Sequence, residues 1–433
     1  MTHRQHAARR REVVAPTRTY DRQVADADTL RRMGAYTEAL QAFHAIARAF
    51  PHRSDASNNL AGMLQATGHP THALQAVSRA LELDPTNVAA LLNSAEILKD
   101  FGDWHMVAQT YDAALALQPL SPVIRFGRAL HLLLLGQWAE GWREHEARSL
   151  VPGQLLRRTA LTSPVWDGSP LAGRRILLDH EQGLGDQIMC ARFAADVAAG
   201  GGKVTIRCSA PLAMLFESLT GVDAVSIEGS AVPPHDVHAS LMSLPALLGV
   251  TSPDMISGAP YLRPSGTCPE PIRAALSTPA PKVGLVWAGN PQHRNDARRS
   301  LQPALLAPLL ELESVQFVAL QRHDGRTPLP GPLRGRVTDL GAALGTLDDS
   351  AHALLQLDLL ITVDTAVAHL AGALGVRTLL LVPFVPDWRW MVNRADTPWY
   401  RSVQLLRQAT LFEWAPVVGA ARDQVATLTR AST

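Results

Sequence analysis

The sequence predicts an α-helical solenoid followed by two doubly wound α/β lobes, and three observations carry that expectation. Gly34, Gly68, Gly102 and Gly136 recur at a spacing of 34 residues, with Pro51, Pro85 and Pro119 keeping the same spacing beside them. A fixed period of this length is the mark of a helical-hairpin repeat array. Beyond the repeats, short apolar runs alternate with helical segments, as in a parallel sheet covered on both faces. A second series of the same kind begins after the Pro/Ser/Thr-rich stretch 264–281.

Within Ser54 to Asn87 the pattern reads Leu60, Ala61, Leu64, Gly68, Ala73, Ala80 and Pro85. Small residues fall where two helices approach, Gly68 marks the turn, and Pro85 ends the second helix. The motif resembles the tetratricopeptide repeat, which implies a solenoid with a concave binding face and no chemistry of its own. The array is expected over 19–150, with three full repeats across roughly 20–121 and a degenerate last repeat over 122–150. Trp138 and Trp142, with His145, share a face of its second helix, which suits docking against the next domain. Residues 1–18, with Arg9, Arg10 and Arg11, are expected to be a disordered, solvated tail.

Residues 151–172 read as a linker, with prolines and glycines and weak periodicity. The first α/β lobe is expected over 173–278, with strands Ile176–Asp179, Val204–Cys208 and Val222–Ile227 and helices Gln187–Ala199 and Leu212–Leu219. The second is expected over 279–433, with strands Val283–Trp287, Val315–Leu320, Val337–Leu340, Leu357–Val363 and Thr378–Val382. A terminal segment around Leu411–Leu428 is expected to pack back across both lobes. Ligands in such sheets bind at the carboxyl ends of strands, here in a cleft between lobes.

Lysine plus arginine number 40 and aspartate plus glutamate 39, so nothing favours a polyanionic partner, and no nucleic acid is expected. Cys190, Cys208 and Cys268 are widely separated with no metal-ligand spacing. No apolar run approaches a membrane span and no signal-peptide core follows the basic start, so a cytoplasmic location is expected. The histidines are scattered, so no metal site is expected, and a P-loop and a Gly-x-Ser-x-Gly elbow are absent.

Four motifs remain as chemistry. In Glu181-Gln182-Gly183-Leu184-Gly185-Asp186, between a strand and a helix, Gly183 and Gly185 let backbone approach a ligand, and Asp186 is placed to act as a general base. Asp364-Thr365-Ala366-Val367-Ala368-His369 follows a strand, so Asp364 or Thr365 can cap a helix whose first N–H groups suit a diphosphate. His369 shares the face of Thr365 and Ala366. Trp287-Ala288-Gly289-Asn290 ends the first strand of the second lobe, and Arg299 beyond it suits phosphate oxygens, with Gln321 of similar standing. Pro386-Asp387-Trp388-Arg389-Trp390 concentrates aromatics in a chain with 5% of them, where Trp388 and Trp390 fit stacking on a base or sugar and interlobe packing equally well.

Together these four motifs, in this order and each at a strand end, resemble the GT-B glycosyltransferases of the heptosyltransferase-like group, glycosyltransferase family 9. The whole chain resembles bacterial proteins that join tetratricopeptide repeats to such a domain, and its architecture is similar to the O-GlcNAc transferases. The resemblance implies inverting, metal-independent transfer of a sugar from a nucleotide-sugar co-substrate, with no further cofactor, to a protein or glycan acceptor selected by the repeats. It implies Asp186 as the base and the segment Asp364-Thr365 to His369 as the donor diphosphate site; with it, Glu181, Gln182, Gly183 and Gly185 are expected as the acceptor-side loop, and Ala366, Arg299, Asn290 and Gln321 on the donor side. The lysine of those enzymes near the donor phosphates has no clear match, and Arg299 stands in for it. A non-catalytic repeat scaffold with an inactive enzyme domain and a sugar-nucleotide epimerase remain the alternatives.

Overall fold

Each of the four periodic glycines ends a helix in the left-handed region, with φ of 78, 80, 68 and 80° at Gly34, Gly68, Gly102 and Gly136. The N–H of the next residue reaches back five residues, from Ala35 to the Leu30 carbonyl (3.0 Å), His69 to Leu64 (2.9 Å), Asp103 to Leu98 (3.3 Å) and Gln137 to Leu132 (2.9 Å). That closure satisfies otherwise orphaned carbonyls and demands a conformation only glycine enters without strain. The 34-residue register is therefore a backbone requirement.

The computed structural model describes residues 19–152, 161–293, 295–322 and 329–430; the expected tail at 1–18 and part of the expected linker lie outside them. Helices α1 (19–32), α2 (Tyr36–Ala49), α3 (Ser54–Ala66), α4 (Pro70–Leu83), α5 (Val88–Lys99), α6 (Trp104–Leu117), α7 (Pro122–Leu134) and α8 (Trp138–His145) form the hairpins. Polar side chains tie neighbouring repeats together. Asn87 Nδ2 donates to Ser54 Oγ (2.7 Å), Asn93 Nδ2 to Asn58 Oδ1 (2.9 Å) and Gln65 Nε2 to Asp100 Oδ2 (3.1 Å).

The chain divides into two compact units between His131 and Leu132. Helix α8 and the 3₁₀ turn Glu146–Leu150, within the span expected for the array, fall in the second unit.

The second unit holds two sheets, each parallel throughout. The first has the order β3-β2-β1-β4, from β1 (Arg175–Asp179), β2 (Lys203–Cys208), β3 (Val222–Ile227) and β4 (Val237–Ser240). The second has the order β10-β9-β8-β5-β6-β7, from β5 (Lys282–Val286), β6 (Gln316–Ala319), β7 (Val337–Asp339), β8 (Leu359–Val363), β9 (Thr378–Val382) and β10 (Val403–Arg407). Strand order reverses beside β1 and beside β5, and a parallel sheet opens a ligand crevice at such a switch point. The edge strands β4 and β10 were not anticipated. The expected helix Gln187–Ala199 is two, Leu184–Ala191 and Ala194–Ala199. The terminal helix Ala415–Arg430, expected across both lobes, packs Val417, Val418, Ala421 and Val425 into the core of the second sheet, against Val283, Ile361 and Leu379.

Candidate functional site

The site is built where two helix starts meet. The chain leaves β1 at Asp179, which pairs in two hydrogen bonds with Arg207 at the end of β2 (2.8 and 2.5 Å), so Arg207 braces the strand ends. The loop then enters the helix Leu184–Ala191, with Asp186 in its first turn. One Asp186 oxygen accepts the Gly183 N–H at 3.0 Å, closing the helix start, and the other accepts a hydrogen bond from Arg389. Burial pushes the Asp186 carboxyl up, with Asp387 adding to the rise and Arg389 opposing it.

Arg389 comes from the 3₁₀ turn Trp388–Trp390 that follows β9. It donates to Asp387 Oδ1 at 2.6 Å, and its guanidinium lies 4.4 Å from the centre of the Trp388 ring. Burial would raise the Asp387 carboxyl, but Arg389 outweighs it and holds the group low.

From β8, Asp364 sits 3.9 Å from Arg299 Nη1, and Arg299 Nε lies 3.6 Å from Asp296. Burial, reinforced by Asp387, pushes Asp364 up to about 6 against the pull of Arg299 and Arg389. His369, in the helix Ala366–Leu374, pairs through Nδ1 with the Tyr400 hydroxyl (2.9 Å) and stacks on Trp390 with ring centres 5.0 Å apart. Burial and the nearby Arg389 push it down to about 3, so it is a neutral ring at ordinary pH. A Cβ on Gly185 would lie 2.8 Å from His369 Cδ2. Gly185 is therefore required by the approach of the second lobe, not by its own φ.

Asp186, Gly183, Gly185, Asp364, His369 and Arg299 are thus brought to one region. Ala366 opens the helix behind Asp364; Thr365 occupies its N-cap position but its hydroxyl makes no cap bond and lies 3.4 Å from Thr362 Oγ1. Four of the expected positions are engaged within the protein itself. Gln321 accepts the N–H groups of Trp287 and Ala288 (3.2 and 2.9 Å) and donates to the Arg322 carbonyl, so it braces the loop after β5. Asn290 is exposed and accepts the Gln292 N–H at 3.0 Å, forming a turn. Glu181 is buried in an ion pair with Arg148, while the Gln182 carbonyl accepts from Gln187 (3.1 Å). Trp388 and Trp390 are 6% and 0% exposed and packed on other rings, which is the packing reading of the two expected for them.

Arg389 is the residue that sequence reasoning missed. It stood within a quoted motif, but its neighbours drew attention to the aromatics and its partner Asp186 lies 203 residues away. Among the described residues, no group of three or more His, Cys, Asp or Glu is placed to hold a metal ion, and no helix is long and apolar enough to cross a membrane.

Fold and site together define a helical-repeat chain carrying a two-lobed parallel α/β unit with a charged cluster where the lobes meet. No family model matches it. In sequence the chain is similar to Protein FlbA of Caulobacter vibrioides, at 27% identity over 426 residues, 90% of this chain and 70% of that protein. Among solved structures, glycosyl transferase family 9 from Veillonella parvula aligns with a TM-score of 0.44 at 12% identity, over 61% of this chain and 99% of that one. The MamA protein aligns with a TM-score of 0.27 at 18% identity, over 32% of this chain and 75% of that one.

Proposed function

We propose that the protein is a glycosyltransferase that moves a sugar from a nucleotide-sugar donor to a protein or glycan acceptor selected by its repeats. The observation that carries this reading is the pairing of Asp186, at a helix start of the first lobe, with Arg389, in the donor-side cluster of the second. A transfer reaction needs a base for the acceptor hydroxyl and, across from it, positive charge for the departing diphosphate. Both are present in one region.

In this reading the acceptor oxygen attacks the anomeric carbon, Asp186 takes its proton, and the sugar–phosphate bond breaks with inversion in a single displacement. Arg299, Arg389 and the N–H groups opening the helix at Ala366 stabilise the charge gathering on the diphosphate. In the structure Arg389 donates to Asp186. A donor diphosphate that draws Arg389 away removes the charge that lowers Asp186's proton affinity, so donor binding readies the base.

The test is calorimetry with a panel of nucleotide sugars, followed by transfer assays with Asp186→Asn. The substitution keeps shape and removes basicity, so turnover should fall by roughly two to four orders of magnitude while donor affinity persists. Turnover near that of the parent would remove Asp186 as base. A parent that binds no nucleotide sugar would favour the scaffold alternative, and release of an isomerised sugar without acceptor would favour the epimerase.

A further inference from the structure

Both members of the Asp186–Arg389 pair are held from behind by one short segment, Trp138–Leu150. On the Asp186 side, the Arg148 side chain is fully buried and donates from Nε to Glu181, five residues before Asp186 on the same loop. Its Nη1 reaches Glu146 Oε1 at 2.6 Å and the His145 carbonyl at 3.2 Å, and its Nη2 reaches Ser243 Oγ at 2.8 Å. Ser243 in turn donates to Glu146 Oε2 at 2.9 Å. A planar guanidinium with partners in every direction permits little rotation or translation of the loop it holds.

On the Arg389 side, Trp142 meets Trp388 edge-on, with ring centres 5.3 Å apart and planes at 89°. Trp138 stacks on Trp399 at 5.1 Å. Trp388 is the ring over which the Arg389 guanidinium lies. The contacts therefore close a ring, from Trp142 through Trp388 and Arg389 to Asp186, and back through Glu181 to Arg148. If the segment served packing alone, an apolar pair in place of both Arg148 and Glu181 would do, because a buried ion pair adds little stability over a hydrophobic replacement of both partners.

We propose that Trp138–Leu150 is a positioning element of the reaction centre, in which Arg148 and Trp142 set the placement of Asp186 and Arg389 and through it the turnover of bound donor. This rests on the glycosyl-transfer reading above.

The experiment uses the full chain with Arg148→Lys, Arg148→Met, Trp142→Phe and Ser243→Ala. Two readouts are taken: kcat and KM across a panel of UDP-, GDP- and dTDP-sugars, and the Asp186 carboxyl titration by ¹³C NMR, assigned by the signal lost in Asp186→Asn. Asp186 faces Arg389 and Asp387 from the second lobe and Cys190 on its own helix, so the titration reports that geometry without donor or acceptor. Arg148→Met should lower kcat roughly ten- to hundred-fold with donor KM nearly unchanged, the cost of a small misplacement. It should also raise the proton affinity of Asp186 by roughly tenfold as Arg389 drifts away. Arg148→Lys should recover part of both. A folded Arg148→Met protein with the parent's kcat and the parent's Asp186 titration overturns the proposal. If Arg148→Met does not fold, Ser243→Ala and Trp142→Phe decide by the same readouts. A parent that turns over none of the sugars defeats the glycosyl-transfer reading, and the titration alone then decides whether the segment positions Asp186.

Discussion

Asp186, Asp364 and Asp387 share one part-buried region with Arg299, Arg389 and a neutral His369, and Asp296 stands 3.6 Å from Arg299, so the acids outnumber the bases when all of them are ionised. Buried unbalanced charge is costly, and the raised Asp364 carboxyl is where the cluster relieves it. An arriving diphosphate adds negative charge beside Asp364 and raises it further, so donor binding should take up a proton. The sign follows: a protonated Asp364 does not repel the diphosphate, and as pH rises through about 6 its charge returns and affinity falls. One coupled proton allows up to about a tenfold loss per pH unit. Calorimetry between pH 5.5 and 8 should use a nucleotide sugar, because its diphosphate diester does not titrate in that window. His369, at about 3, is silent there, and Asp387 is held low. Asp364→Asn should flatten the dependence; an unchanged slope in that variant would assign the proton elsewhere.

At the scale of elements, the same substitution should have opposite signs in two helices of the second unit. In the terminal helix Ala415–Arg430, a Cβ on Gly419 meets nothing within 4 Å, so Gly419→Ala should stabilise by roughly 0.5–1 kcal/mol. In the helix Ala366–Leu374, a Cβ on Gly372 would lie 2.3 Å from Tyr400 Cγ, and Tyr400 holds His369. Overpacking there should cost roughly 1–3 kcal/mol net of the helix gain and shift the His369 ring. Paired thermal melts read both signs, and a stabilised Gly372→Ala would show that Tyr400 yields freely. Such contrasts mark what the sequence could carry. The solenoid was legible because each turn demands a left-handed glycine at the same interval, and β8 and β9 were legible because every residue is buried, leaving runs that are apolar but for Thr362 and Thr378. The edge strands β4, Val-His-Ala-Ser, and β10, Val-Gln-Leu-Leu-Arg, expose part of their length and so lack that signal. The loops bearing Asp186, Asp364 and Arg299 were legible as strand ends, whereas the roles of Arg389, Glu181 and Gln321 depend on partners far away in the chain.

For the whole molecule, the place where the repeats can be cut is decided by α8 and its turn. Deleting 1–121 keeps α7 and α8 entire, with the buried Trp138, Trp142 and Arg148 still on their partners. Deleting 1–150 removes two rings that each bury about 150–250 Å², worth roughly 8–12 kcal/mol together at about 25 cal/mol per Å². It also removes Arg148, the buried ion-pair partner of Glu181. Both losses fall on a fold whose total stability is of the order of 5–15 kcal/mol. Residues 122–433 should therefore give a cooperative melt and keep donor binding, while 151–433 should lack near-UV circular dichroism and aggregate. If the solenoid selects the acceptor, the 122–433 protein should still hydrolyse or bind the donor but fail to transfer labelled sugar into an extract of the source cells that the full chain labels. Equal labelling by the two would take acceptor choice away from the repeats, and a 151–433 protein that melts like 122–433 would show that the Trp138–Leu150 segment is not needed for folding.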